Sequence, residues 1–88
     1  MPTISMFYGI LIRMHSGQRE HPPAHFHASY GEHGAIFDIL SGELIEGTMP
    51  LRQCRLISAW VEIRRDELLA DWSLAQAQDA LFTIDPLK

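Results

Sequence analysis

The chain has 88 residues, enough for one small domain over 1–88 and too few for two separate cores. Its apolar share of 47% excludes a disordered chain, and its single cysteine, Cys54, excludes an intrachain disulfide and a cysteine-based zinc site. A net charge of −4 argues against a protein that coats nucleic acid nonspecifically. Because Arg13 interrupts the first apolar run and no basic flank precedes it, we expect no signal peptide, no membrane span and a cytoplasmic protein.

The first half of the chain, 1–49, is predicted to form an antiparallel β meander of three to four strands. The run 4–14 is rich in β-forming residues and has apolar side chains at both parities, which indicates one strand covered on both faces, with a bulge or a close backbone approach at Gly9. Three further strands are predicted at 25–30, 35–40 and 43–47, joined by turns at 31–34 and 41–42.

The second half changes period and is predicted to be helical over 50–78, since Pro50 is tolerated in a first helical turn. At 100° per residue one apolar face contains Cys54, Ile57, Val61, Leu68, Trp72 and Ala75. The helix either continues or kinks near residues 64–67, and the unbroken phase of this face favours continuity. The tail, 79–88, is predicted to be extended and partly frayed. The fold class is therefore α+β, with the meander packed against a long C-terminal helix.

The sharpest chemical feature is the sequence His25-Phe26-His27. On a strand, residues i and i+2 lie on the same face, so the two imidazoles face away from the core while Phe26 faces it. Two such imidazoles can bracket a phosphate as general base and general acid, because a free imidazole titrates near pH 6.5. Arg13 and His21 are the candidate assisting groups, and no cofactor is then needed.

Two other interpretations of the same residues stay open. Two to four imidazoles from His25, His27, His21 and His33 can instead ligate a divalent metal. Alternatively, the pair is only the half-exposed polar face of a strand. A separate apolar flank on the helix, formed by Leu56, Trp60 and Ile63, is predicted to contact a partner protein or a second copy of the chain.

The sequence also resembles the bacterial domain-of-unknown-function 4160 family along nearly its whole length. The resemblance is carried by the following segments: Pro2-Thr3-Ile4-Ser5, Phe7-Tyr8-Gly9-Ile10, Pro22-Pro23-Ala24-His25-Phe26-His27, Tyr30-Gly31-Glu32, the segment 42–47, Trp60, Glu67-Leu68-Leu69 and Trp72. One departure is Ala24, which stands between the two prolines and the histidines where the family usually has none.

This resemblance implies a component of a bacterial toxin–antitoxin-like module with a small partner protein encoded nearby. Combined with the paired histidines, it leads us to expect a small metal-independent ribonuclease or hydrolase acting on RNA. The alternatives are a non-catalytic interaction module of antitoxin-like or regulatory type, and a metal-binding regulator. No catalytic residue follows from the resemblance itself.

Overall fold

A computed structural model describes residues 2–15 and 22–88 and confirms the α+β class. Five strands precede one helix: β1 (Thr3–Phe7), β2 (Ile10–Arg13), β3 (His25–Tyr30), β4 (His33–Asp38), β5 (Leu44–Gly47) and α1 (Leu51–Gln76). Each strand pairs antiparallel with the next one along the chain, so the sheet order is β1-β2-β3-β4-β5.

The predicted first strand is in fact a hairpin, which is why the sheet has five strands. Tyr8 and Gly9 form the turn, with φ of 49° and 79°, and this left-handed backbone matches the twist of a tight hairpin. Apolar residues occur at both parities of 4–14 because two strands contribute to the same core, not because one strand is covered on both faces. Ile4 and Phe7 are buried from β1, and Ile10 and Ile12 from β2.

One face of the sheet, which we call the inner face, packs against α1. Phe26 of β3 stacks on Phe37 of β4 with ring centroids 5.8 Å apart, and Trp60 of the helix contacts both Phe26 and Phe7. Ile57, Val61 and Leu68 are fully buried, so the predicted helical face does cover the sheet. Trp60, which was predicted on the second flank, is fully buried as well. The burial of these apolar groups is the main source of the stability of the domain.

The helix runs over 26 residues and is kinked at Arg64, where φ is −112° and ψ is 18°. Arg64 donates a hydrogen bond to Glu67 Oε1 at 3.1 Å, and Arg65 donates one to the main-chain oxygen of Ile39 at 3.2 Å. Both alternatives at this junction were thus partly right, because the helix continues through a local bend. Across the described residues, no helix combines the length and apolarity of a membrane span.

The tail beyond α1 has no regular secondary structure but is not frayed. Hydrogen bonds tie its outer part to the rest of the domain: Phe82 N–H donates to Asp71 Oδ1 at 3.0 Å, Ile84 N–H to the Ile4 oxygen at 2.7 Å, and Trp60 Nε1–H to the Asp85 oxygen at 2.8 Å. Ile84 is buried with the core. The tail is therefore part of the fold and lies along β1.

Candidate functional site

The opposite side of the sheet, which we call the outer face, carries the polar side chains of the strands. In β3 the alternation is direct: Phe26 and Ala28 are buried on the inner face, and His25, His27 and Ser29 are half-buried on the outer one. The structure therefore places His25 and His27 on the same face, as the spacing of two predicts for a strand.

The register of the sheet extends this face into a row across four strands. His27 lies opposite Arg13 of β2 on one side and opposite Ile36 of β4 on the other. Ile36 in turn lies opposite Glu46 of β5. Arg13, His27 and Glu46 thus lie in one row across the outer face. Arg13 and His27 are on adjacent strands, and β4 lies between His27 and Glu46.

An open pocket of about 390 Å³ lies on this row, and we call it the outer-face pocket. Arg13, His27, Ile36 and Glu46 line it together with Ser29, Gly34 and Gly47, and with the main chain of Ala28 and Ala35. Two of the lining residues are glycines, so no side chain stands between a ligand and the backbone of β4 and β5 at those positions. A ligand in the pocket can therefore approach the backbone of β4 and β5 closely.

The charged groups of the pocket are available for such a ligand. Within residues 2–15 and 22–88, the Arg13 and Glu46 side chains take part in no ion pair or hydrogen bond, and both residues are exposed. A guanidinium offers several N–H donors to phosphate oxygens, and a carboxylate offers only acceptors. The two rims of the pocket therefore have opposite charge and complementary hydrogen-bonding roles.

A chain of aromatic rings flanks the pocket. The ring centroids of His15 and His27 are 4.8 Å apart, those of His27 and His25 are 5.8 Å apart, and those of His25 and Trp72 are 4.9 Å apart. The Nδ1 of His25 lies 2.8 Å from the Pro23 oxygen, and because a carbonyl only accepts, Nδ1 carries the proton there. His25 is not among the residues that line the pocket, and its ring lies beside that of His27.

The other predicted site residues fall elsewhere. His33 lies opposite Tyr30 at the far end of the β3–β4 hairpin, on the same side as the buried Ala35 and Phe37, and its Nδ1 is 3.2 Å from Thr48 Oγ1. The four-histidine metal set is therefore not assembled, since His33 is on the other face of the sheet. His21 lies outside the described residues.

No cluster of three or more His, Cys, Asp or Glu side chains with metal-binding geometry occurs in the described part of the chain. A set of three protein ligands or more is what stable zinc sites require. The one cysteine, Cys54, is half-buried, and burial raises the pKa of its thiol, which disfavours the reactive thiolate.

The predicted interface flank is also changed by the structure. Trp60 is fully buried in the core, so its indole cannot contact a partner on the surface. Leu56 is half-buried against the core, and only Ile63, which is 63% exposed, stays on the surface. Helical spacing alone predicts this second apolar flank, whereas in the fold the tail and the β1–β2 hairpin contact Trp60.

Sequence reasoning missed three residues of the site region. The sequence gives no sign that His15 lies close to His27, because the two are 12 positions apart in the chain. Trp72 was assigned only to the core, although it also contacts His25. Glu46 is predicted only to lie on the strand 43–47, because its place beside the pocket depends on the β4–β5 register. Its position on a predicted strand was the one available signal.

The family model for the domain of unknown function DUF4160 matches residues 9–73, which include His25, His27 and most of the helix. The chain therefore belongs to this family. No curated protein and no solved structure matches it.

Proposed function

We propose that this member of the DUF4160 family is a small metal-independent ribonuclease, and that it acts as one component of a bacterial toxin–antitoxin-like module. The observation that carries the proposal is the outer-face pocket, which His27 lines together with two glycines and with Arg13, its partner on the adjacent strand. The module assignment rests on the family resemblance described above.

RNA suits this pocket because it contains its own nucleophile. The 2′-hydroxyl can attack the adjacent phosphorus once a base removes its proton, and an acid must protonate the leaving oxygen. An imidazole can perform either transfer near neutral pH, and a neighbouring guanidinium stabilises the negative charge that develops on the phosphate oxygens. Arg13 and His27 are directly opposite each other on adjacent strands, so one phosphate can contact both.

The open form of the pocket favours single-stranded RNA over a duplex. The groove lies on the exposed side of a twisted sheet, and its walls are single side chains. Unstacked nucleotides can lie on such a surface, whereas the deep groove of an RNA helix admits few side chains. The overall charge of −4 then limits nonspecific binding, and contact depends on the local cation at Arg13.

We expect the purified, untagged protein to cleave a short fluorogenic single-stranded RNA in the presence of a chelator. His27→Ala should lower the rate by roughly 10²–10⁴-fold, the usual contribution of a general acid or base. His33→Ala is the matched control, because it removes an imidazole from the other face and should leave the rate unchanged. Absence of cleavage by the unmodified protein, or full activity of His27→Ala, would overturn the proposal.

The proposed role as a toxin is tested separately, by growth and by the integrity of RNA in bacterial cells. Expression of the chain alone in bacterial cells should arrest growth with fragmentation of cellular RNA, and expression of His27→Ala should do neither. Cleavage in vitro without any growth defect would keep the ribonuclease and remove the toxin role.

A second candidate function, a non-catalytic interaction module, is favoured by exposed apolar side chains just before β5, within it and at the start of α1. These are Leu40, Leu44, Ile45 and Leu51. Exposed apolar groups of this size can contact a partner protein. This candidate predicts that the His27→Ala variant keeps every function of the chain, so the same experiment separates the two.

A further inference from the structure

We infer that Glu46 is the general base of the proposed reaction and that His27 is its general acid, so that RNA is cleaved to a 2′,3′-cyclic phosphate. The inference rests on the proposed function and names its second catalytic group. The histidine pair that the sequence suggests is thereby replaced by a carboxylate and an imidazole from different strands.

His27 and Glu46 can approach a bound phosphate from opposite sides. In an in-line displacement the attacking and leaving oxygens lie on opposite sides of the phosphorus, so base and acid must approach from opposite sides. His27 and Glu46 are separated by the single strand β4, which is about 9.5–10 Å between their backbones for two inter-strand steps. Both side chains line the same pocket, and a phosphodiester can lie between them.

The alternative pair, His25 with His27, does not meet this requirement. The two rings are on one strand with centroids 5.8 Å apart, so they are side by side. His25 is also held by the Pro23 oxygen at 2.8 Å and packs against Trp72. It is absent from the lining of the pocket, so we do not assign it a proton transfer.

A bulge in β5 determines the face of the sheet on which Glu46 lies. Leu44 lies opposite Phe37, an inward-facing residue, whereas Glu46 lies opposite Ile36, an outward-facing one. Residues two apart normally share a face, so the extra residue Ile45 is what directs Glu46 to the outer face. Bulges are common beside active sites, where they re-aim a side chain.

The bond changes follow from these positions. Glu46 takes the proton of the 2′-hydroxyl, the bond from O2′ to phosphorus forms, and the bond from phosphorus to O5′ breaks. The His27 imidazolium donates its proton to O5′, and Arg13 holds the anionic phosphate oxygens. The products are a 2′,3′-cyclic phosphate and a 5′-hydroxyl, and proton exchange with water restores both side chains.

The decisive experiment compares Glu46→Gln with Glu43→Gln, a control that removes an exposed carboxylate of the same segment outside the pocket. The probe is a short single-stranded RNA, with a second copy that carries one 2′-deoxy sugar at the cleaved position. Rates are measured across pH, and products are identified by mass. Thermal unfolding verifies that each variant is folded.

We expect Glu46→Gln to lower kcat by roughly 10²–10⁴-fold with little change in KM, and to remove the acidic limb of the pH profile. Glu46→Asp should restore part of the rate, Glu43→Gln should match the unmodified protein, and the deoxy substrate should resist cleavage. Retention of both rate and acidic limb by a folded Glu46→Gln would overturn the inference. If His27→Ala is inactive in that same experiment, the proposed ribonuclease still holds, whereas absence of any cleavage would overturn both.

Discussion

The inner and outer faces of the sheet are built from alternate residues of the same strands, yet they differ in burial and in packing density. Ile12, Phe26 and Phe37 are fully buried on the inner face, where close packing leaves no room for change. Their neighbours Arg13 and His27 project from the outer face, where glycines and short side chains leave an open pocket. The difference separates the residues that hold the fold from those that do the proposed chemistry, and substitutions should separate in the same way.

The largest expected effect is that of a charge placed on the inner side. Val61→Asp buries a carboxylate without a partner at a position that is fully buried, and it should cost about 4 kcal/mol or more. Since a domain of this size has about 5–10 kcal/mol of stability, we expect a largely unfolded protein.

Ile63→Asp is the matched control, because the same change two residues along α1 falls on an exposed position and should alter stability by only about 0.5 kcal/mol. Thermal unfolding followed by circular dichroism measures both variants. An unchanged Tm for Val61→Asp would break the assignment of the inner face.

A smaller effect is expected at the two glycines of the outer-face pocket. Gly47 has φ of 90°, and an added Cβ would overlap the Gly34 oxygen and come within 2.9 Å of Ala35 Cα. Gly47→Ala should therefore destabilise the domain by about 1–3 kcal/mol and displace Glu46 from the pocket.

Gly34 is the second glycine of the pocket, and unlike Gly47 it has room for a side chain, because a Cβ there meets nothing within 4 Å. Gly34→Ala should stay within about 1 kcal/mol of the unmodified stability and yet place a methyl group in the pocket. Urea unfolding and the RNA assay together should show one variant that loses stability and one that loses activity alone. Equal stabilities would show that the close approach of β5 to β4 is not needed.

The smallest expected effect concerns Asp71, an ionisable residue among the apolar residues on the buried side of α1. Its side chain is fully buried; Oδ1 accepts from Phe82 N–H, and Oδ2 has no hydrogen-bond partner among the described residues. Burial raises the pKa of this carboxyl, the nearby Glu67 raises it further, and the hydrogen bond from Phe82 opposes both. The folded state therefore binds the proton more tightly than the unfolded chain does.

The sign of the pH dependence follows from that difference. Between the unfolded pKa, near 3.9, and the higher folded one, the native state holds more protons, so the contribution of Asp71 to stability falls as pH rises through this window. Asp71→Asn should be more stable than the unmodified protein at pH 7, and the gap should narrow as pH falls toward about 4. Urea unfolding at both pH values measures it, and a gap that widens in acid would contradict the prediction.

Local sequence patterns determined a large part of this protein. The alternation in His25-Phe26-His27 predicts which side chains are buried, and the helical spacing of Ile57, Val61 and Leu68 predicts the face that covers the sheet. Both predictions succeed because the periods of strand and helix are properties of the backbone itself. The strand 25–30 was located to the residue for the same reason.

The partners of these elements were decided only by the tertiary structure. Two strands share the run 4–14 because Tyr8 and Gly9 turn the chain, and the tail covers Trp60 through a hydrogen bond that spans 25 residues. Glu46 reaches the outer-face pocket through the register of β4 with β5 and the bulge at Ile45. A shift of one residue in that register would turn the carboxylate to the opposite face, and pairing between strands, not the sequence within either one, sets the register.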